Sequence, residues 1–248
     1  MCCFGCFVLL SYKTLTSLCY NMLFENGWYY DRGYDMIFNR LLDLVYPQRC
    51  PFCGRMVQMN PCEICKQGLE DDWNTSSFQT EYCNWYSAPL YYTEKVRRAI
   101  LHFKYHNRMG YSSGFVTLAL NSLPDIPFDL ICSVPEYKKE AREYSTSALL
   151  AKELSKRCQT PYHPKALKKI KQTRKQHEIS YVERLTNLDG SFFANERIVY
   201  GKNILLCDDI ITTGSTVNEI AKECKKAGAK DVYAIAIALS TYYRKFGK

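Results

Sequence analysis

No apolar run in this sequence approaches the roughly 18 residues that cross a bilayer as a helix, so membrane insertion is not expected. Nor is there a basic start ahead of the first apolar stretch. Met1 to Leu10 is apolar and Cys-rich, and the first basic residue is Lys13, which is not the order of a secretory leader. The motifs G-x-x-x-x-G-K-S/T and G-x-G-x-x-G are both missing, which excludes a Walker loop and a dinucleotide fingerprint. Wholesale disorder is excluded too, because 47% of the 248 residues are hydrophobic and 23% charged. A chain of this length suits one larger domain with a small appendage. Its 13 cysteines are scattered and odd in number. In a chain this long they point to a reducing, cytoplasmic setting in which some hold metal rather than to a disulfide framework.

Residues 1–35 show no sustained period of 3.6 or 2, and Gly27 and Gly33 interrupt a Trp/Tyr cluster. From Met36 the character changes: Ile37, Leu41, Leu44 and Val45 fall on one face of a short helix ending before Pro47. Two readings stand for residues 1–35, an over-extension ahead of a true start at Met36 or a family-specific extension. The expected organisation is this extension, then a helix and metal ribbon over 36–88, then an α/β domain over 89–242.

Cys50-x2-Cys53 and Cys62-x2-Cys65 carry the first chemical signal. Each C-x-x-C turn presents two thiolates to one metal, and Gly54 permits the tight turn after the first pair. Two such turns complete a tetrahedron for Zn²⁺. All four positions are filled by protein, so the site is expected to be structural, and a ribbon this small would draw much of its folding energy from the metal. Cys83 has no C-x-x-C mate. It is read, with Cys132, Cys158, Cys207 and Cys224, as an ordinary thiol.

The second signal is GKNILLCDDIITTGSTVNEIAKECKKAGAKDVYAIAIAL. Ile204 to Cys207 reads as a buried strand, and Val217, Ile220, Ala221 and Cys224 follow at helical spacing. Gly228 is placed to cap the helix, and Val232 to Leu239 reads as another buried strand. Strand, loop, helix and strand imply a parallel sheet with a right-handed crossover. Asp208 and Asp209 then stand at a strand's carboxyl end, where ligands of open α/β sheets bind, and Thr212-Thr213-Gly214-Ser215-Thr216 turns into the helix. Free N–H groups, four hydroxyls and a curling glycine make an anion nest suited to phosphate. Two adjacent carboxylates beside a phosphate suit a ligand that also carries sugar hydroxyls or a divalent cation.

CDDIITTGST resembles the phosphoribosyl pyrophosphate (PRPP) signature of type I phosphoribosyltransferases. The resemblance implies that Asp208 and Asp209 hold ribose hydroxyls at the catalytic centre and that residues 212–216 cradle the 5′-phosphate. The order of parts narrows it. LLDLVYPQRCPFCG, the four-cysteine ribbon, the FKY segment at 103–105, a strand ending at Val134-Pro135 and the C-terminal loop together resemble the ComF family of competence-associated proteins. The resemblance covers about Met36 to Ser240. It implies a type I phosphoribosyltransferase core, mostly parallel sheet flanked by helices, behind an N-terminal zinc ribbon, with Mg²⁺ accompanying PRPP.

Glu94 to Phe103 has Val96, Ile100 and Phe103 on one helical face, and Phe128 to Val134 reads as the first core strand. By the resemblance Lys104 contacts a pyrophosphate oxygen; by the residues alone it is as well read as a solvated helix-end lysine. Family members carry Arg-Gly-aromatic-Asn-Gln in the pyrophosphate loop, whereas this chain has Arg142-Glu143-Tyr144-Ser145-Thr146. Arg142 and the aromatic remain. The loss of the other three leaves two functions open, a phosphoribosyl transfer to an unassigned acceptor, or a PRPP-sensing or DNA-binding module that kept the fold without turnover. No residue stands out as an obligatory general base.

The formal net charge of +8 is concentrated in residues 138–184, which hold 13 Lys/Arg against 5 Asp/Glu. Lys165 to Arg184 matches the family's basic segment, with Gln176 and Arg184 in place, and Asn187, Gly190 and Phe192 fit what precedes the PRPP strand. Lys168, Lys169, Lys171, Arg174 and Lys175, with Tyr162, His163, His177 and Tyr181 interspersed, suit single-stranded DNA. The family's association with DNA uptake and the competence machinery favours that partner. A basic hood over a polyanionic small molecule suits the same charges.

Overall fold

The computed structural model describes residues 48–57, 59–105, 109–136, 145–171 and 188–245. The expectations for residues 1–35, the helix after Met36, and Arg142, Arg174, Lys175, Gln176, His177, Tyr181, Arg184 and Asn187 lie outside them. Among the described residues nine strands follow in chain order: β1 (Trp85–Ser87), β2 (Leu90–Tyr91), β3 (Leu130–Ser133), β4 (Leu167–Lys169), β5 (Phe192–Ala194), β6 (Asn203–Cys207), β7 (Ile210–Ile211), β8 (Asp231–Ile235) and β9 (Ala238–Leu239). The described helices are α1 (Glu63–Gln67), α2 (Glu94–Tyr105), α3 (Ser112–Leu120), α4 (Thr146–Cys158), α5 (Glu196–Val199) and α6 (Ser215–Lys226).

The principal sheet has the order β1-β8-β6-β3, and every pairing in it is parallel. Parallel strands covered on both faces read as continuous apolar runs. Accordingly Ile204, Leu205 and Leu206 of β6 are all sealed from solvent. Ile204 and Leu206 pack with Val217, Ile220, Ala221 and Cys224 of α6, while α4 packs on β3 and β6. The expected strand, loop, helix and strand unit is therefore β6, the 208–214 turn, α6 and β8. Gly228, at φ +80°, ends α6 as expected: its N–H bonds to Lys225 O at 3.0 Å and that of Ala229 to Cys224 O at 2.9 Å, a Schellman closure.

Two boundaries differ from the sequence reading. Val232 to Leu239 is not one strand, because β8 stops at Ile235 and β9 resumes at Ala238. Its neighbours break at the same level, β1/β2 at Ala88-Pro89 and β6/β7 at Asp208-Asp209, so β2-β9-β7 forms a second parallel sheet. Pro89 has no N–H for the ladder. Hydrogen bonds bridge the break, from Asp208 N to Ile235 O at 3.0 Å and from Ile237 N to Asp209 O at 3.1 Å. The α/β domain also begins before residue 89, since β1 is a strand of the principal sheet.

The ribbon packs on α3. Phe52 meets Phe115 edge-on at 6.1 Å, and Phe115 in turn meets Phe103 of α2 at 5.6 Å. Gly114 makes the close approach possible, since a Cβ there would stand 2.3 Å from Asn60 Oδ1 and 2.9 Å from Pro51 Cδ.

Candidate functional site

Cys50, Cys53, Cys62 and Cys65 bring their sulfurs within 4.8 Å of one another, and this is the one such cluster among the described residues. With Zn–S bonds of about 2.3 Å a tetrahedron has S···S edges of about 3.8 Å. The Cys53 and Cys62 sulfurs stand 3.8 Å apart, so the donor set and its spacing fit Zn²⁺. Burial would raise the Cys50 thiol, but backbone N–H groups of Cys62, Cys53 and Phe52 outweigh it and hold it below its usual value. Cys83, Cys132, Cys207 and Cys224 are buried in the core and Cys158 is partly exposed; burial pushes Cys83 and Cys224 up to about 12.

The acid pair sits at the β6/β7 break. Asp209 is buried, and its Oδ2 accepts from Lys104 Nζ at 2.5 Å and from Thr146 Oγ1 at 2.9 Å. Asp208 Oδ1 accepts from Ser147 Oγ at 3.1 Å and from the Asp209 backbone N–H at 2.8 Å. Burial first, then the charge of Asp209, pushes the Asp208 carboxyl up to about 7. Among the described residues Lys104 thus pairs with Asp209, whose neighbour Asp208 is a second carboxylate. Four elements meet here: the end of α2, the first turn of α4, the β6/β7 break and the turn into α6.

That turn leads into a helix N-terminus lined by hydroxyls. Gly214 is the N-cap of α6 at φ +75°, a conformation that suits glycine, and it has no side chain with which to cap the helix. The Ser215 N–H, first in the helix, donates to Thr213 Oγ1 at 3.4 Å, and a hydroxyl-lined helix N-terminus of this kind suits an anion. Thr213 Oγ1 and Ser215 Oγ lie 2.8 Å apart, and Thr212, Thr213, Ser215 and Thr216 are all partly exposed. A Cβ on Gly214 would stand 3.1 Å from the Tyr86 hydroxyl, so the turn is braced from β1.

Lys104 is neither a solvated helix end nor facing open space, since it is paired with Asp209. Thr146 and Ser147 escaped the sequence reading. The sequence marks a helix start there, with a capping Ser145 followed by Leu149, Leu150 and Leu154, but not the partners of the two hydroxyls. The basic residues lie elsewhere. Lys168 is exposed opposite Phe193 on the antiparallel β4–β5 ribbon, Lys169 stands 5.7 Å from the Phe192 ring, and Lys171 Nζ donates to Asp189 O at 3.2 Å. Tyr162 does not stand free for stacking, because its hydroxyl meets Ser133 Oγ at 3.1 Å and its backbone bridges Ile131.

Residues 145–245 match the phosphoribosyl transferase domain family. The chain is 29% identical over 161 residues to Competence protein F of Haemophilus influenzae, covering 60% of this chain and 69% of that protein. The domain match and the names of these relatives support a ComF-family protein. To the DNA utilization protein YhgH of Escherichia coli the chain is 35% identical over 106 residues, 42% of its own length and 46% of the relative's. The fold is that of the type I phosphoribosyltransferases, a parallel sheet flanked by helices, with the four-cysteine cluster ahead of it. Among solved structures, an adenine phosphoribosyltransferase is similar at 16% identity and a TM-score of 0.37, over 59% of this chain and 78% of that one. At that score the likeness has no bearing on substrate or reaction. No described helix is long and apolar enough to cross a membrane.

Proposed function

We propose that this ComF-family protein binds PRPP with Mg²⁺ at the β6–α6 turn and transfers its phosphoribosyl group to an acceptor. One observation carries the reading: an acid pair, Asp209 buried and Asp208 partly so, stands six and seven residues before the first residue of a helix that starts on a left-handed glycine. The 212–216 turn would take the 5′-phosphate, and Asp208 and Asp209 the ribose hydroxyls. Two carboxylates are too few to cage Mg²⁺, which keeps water and is held largely through substrate oxygens. The ion, when bound, supplies charge neutralisation to the pyrophosphate. In the transfer, the bond from C1 to the pyrophosphate oxygen breaks as the acceptor's lone pair forms the new bond to C1. The protein's part is to position and neutralise. Lys104 exchanges its carboxylate partner for a pyrophosphate oxygen, and Arg142 joins it. Pyrophosphate release measured against a panel of nucleobases and amines tests the transfer; release with one acceptor class supports it, and PRPP binding without release leaves a sensor.

A second reading concerns DNA. On the β4–β5 ribbon Lys168 stands opposite Phe193, which is 49% exposed, and exposed Ile170 and Lys171 follow. Charge beside an exposed ring suits the phosphates and bases of a single strand. The names of the Haemophilus and Escherichia relatives support a role in competence or DNA use. Single-strand binding that falls steeply with salt and is weakened by Lys168→Ala, Lys169→Ala and Lys171→Ala supports this; absence of binding at low salt removes it.

A further inference from the structure

Ser145, Thr146 and Ser147 are consecutive hydroxyl residues at the start of α4, and their tasks differ. Ser145 is the cap, its Oγ accepting from the Ala148 N–H at 3.3 Å. Thr146 and Ser147 are 0% and 2% exposed. A hydroxyl buried that deeply costs free energy unless it is hydrogen-bonded, and valine or alanine would fill the same space without that cost. Each is turned instead on one member of the acid pair, Thr146 on Asp209 Oδ2 at 2.9 Å and Ser147 on Asp208 Oδ1 at 3.1 Å. Successive helical residues project about 100° apart. The pairing runs in reverse order, 146 to 209 and 147 to 208, so a single helical turn holds both acids at once.

We infer that Thr146 and Ser147 are positioning residues that set the carboxylate orientations of Asp209 and Asp208 for a ribose diol, an inference that rests on the PRPP reading above. They act through the acids and do not touch the ligand. Reacting groups must be held closely to be useful, and a side chain free to rotate presents its lone pairs in many directions. The bonds come from a helix whose Leu149, Leu150 and Leu154 are buried in the core, which makes the grip rigid.

Calorimetric titration of Mg²⁺-PRPP into wild type, Thr146→Val, Ser147→Ala, Thr146→Ser and Ser147→Thr tests this, with a thermal melt of each. Removing a hydroxyl from an ionised partner is expected to weaken binding about tenfold to a hundredfold, while the variants that keep a hydroxyl bind within about threefold of wild type. A purely structural role would lower the melting temperature of Thr146→Val and Ser147→Ala and leave their affinities unchanged wherever they are folded; that result overturns the inference alone. A wild type that does not bind Mg²⁺-PRPP overturns the PRPP reading, and this inference with it.

Discussion

The sulfur cluster and the acid pair are assembled in opposite ways. Four sulfurs come from one stretch of 16 residues, Cys50 to Cys65, with three of the four thiols at least partly exposed. The acid pair is held by Lys104, Thr146 and Ser147, contributed by two helices far away in the chain. The first region gathers its four sulfurs locally, in a cluster that could hold a metal ion. The second is held by the folded core and exists only once the sheet and helices have formed. Stability and function should therefore separate between them.

The largest expected effect is on the ribbon. Structural Zn²⁺ contributes on the order of 10 kcal/mol to small zinc domains. Chelation, or Cys62→Ser, is expected to strip amide-exchange protection from residues 48–68 while β6 and β8 stay protected. Protection that survives chelation would erase the contrast. On the other side, Lys104→Met leaves the buried Asp209 carboxylate facing Asp208 without its cation, expected to cost about 3 kcal/mol in urea unfolding at neutral pH. The loss should shrink on acidification as Asp208, raised to about 7, protonates and its repulsion of Asp209 fades.

A smaller effect is expected where ribbon and core touch. Gly114→Ala would drive a methyl toward Asn60 and Pro51, expected to cost about 1–3 kcal/mol before any gain in helix propensity. A melting temperature equal to wild type would show that the ribbon adjusts freely on α3. Acid should divide the regions as well. Asp208 titrates in the folded protein at about 7 against 3.8 for the free side chain, so its contribution favours the folded state below about pH 4 and is lost as pH rises through 7. Thiolate ligands respond in the opposite sense and release metal on acidification. Ribbon protection should then fall with pH while the sheet holds, and PRPP affinity should weaken below about pH 7, since ribose hydroxyls donate to the ionised carboxylate.

The same contrast explains what could be read in the sequence. The knuckle was legible because all its ligands are local and their spacing is set by tight turns. So were β6, α6 and the Thr212–Thr216 turn, since hydrophobic period and glycine placement are local physics. Lys104 could be singled out only through resemblance, and its partner Asp209 could not be named. Thr146 and Ser147 were overlooked because their role depends on α4 packing against β3 and β6, a relation that no spacing within 138–184 encodes. The break between β8 and β9 was hidden for a related reason, since an uninterrupted apolar run does not mark where neighbouring strands bend together.

The central claim is tested most directly by calorimetric titration of Mg²⁺-PRPP into wild type and the Asp208→Asn/Asp209→Asn variant. The account predicts saturable binding to the wild type and none to the folded variant. Equal binding by both, or no binding by the wild type, would contradict it.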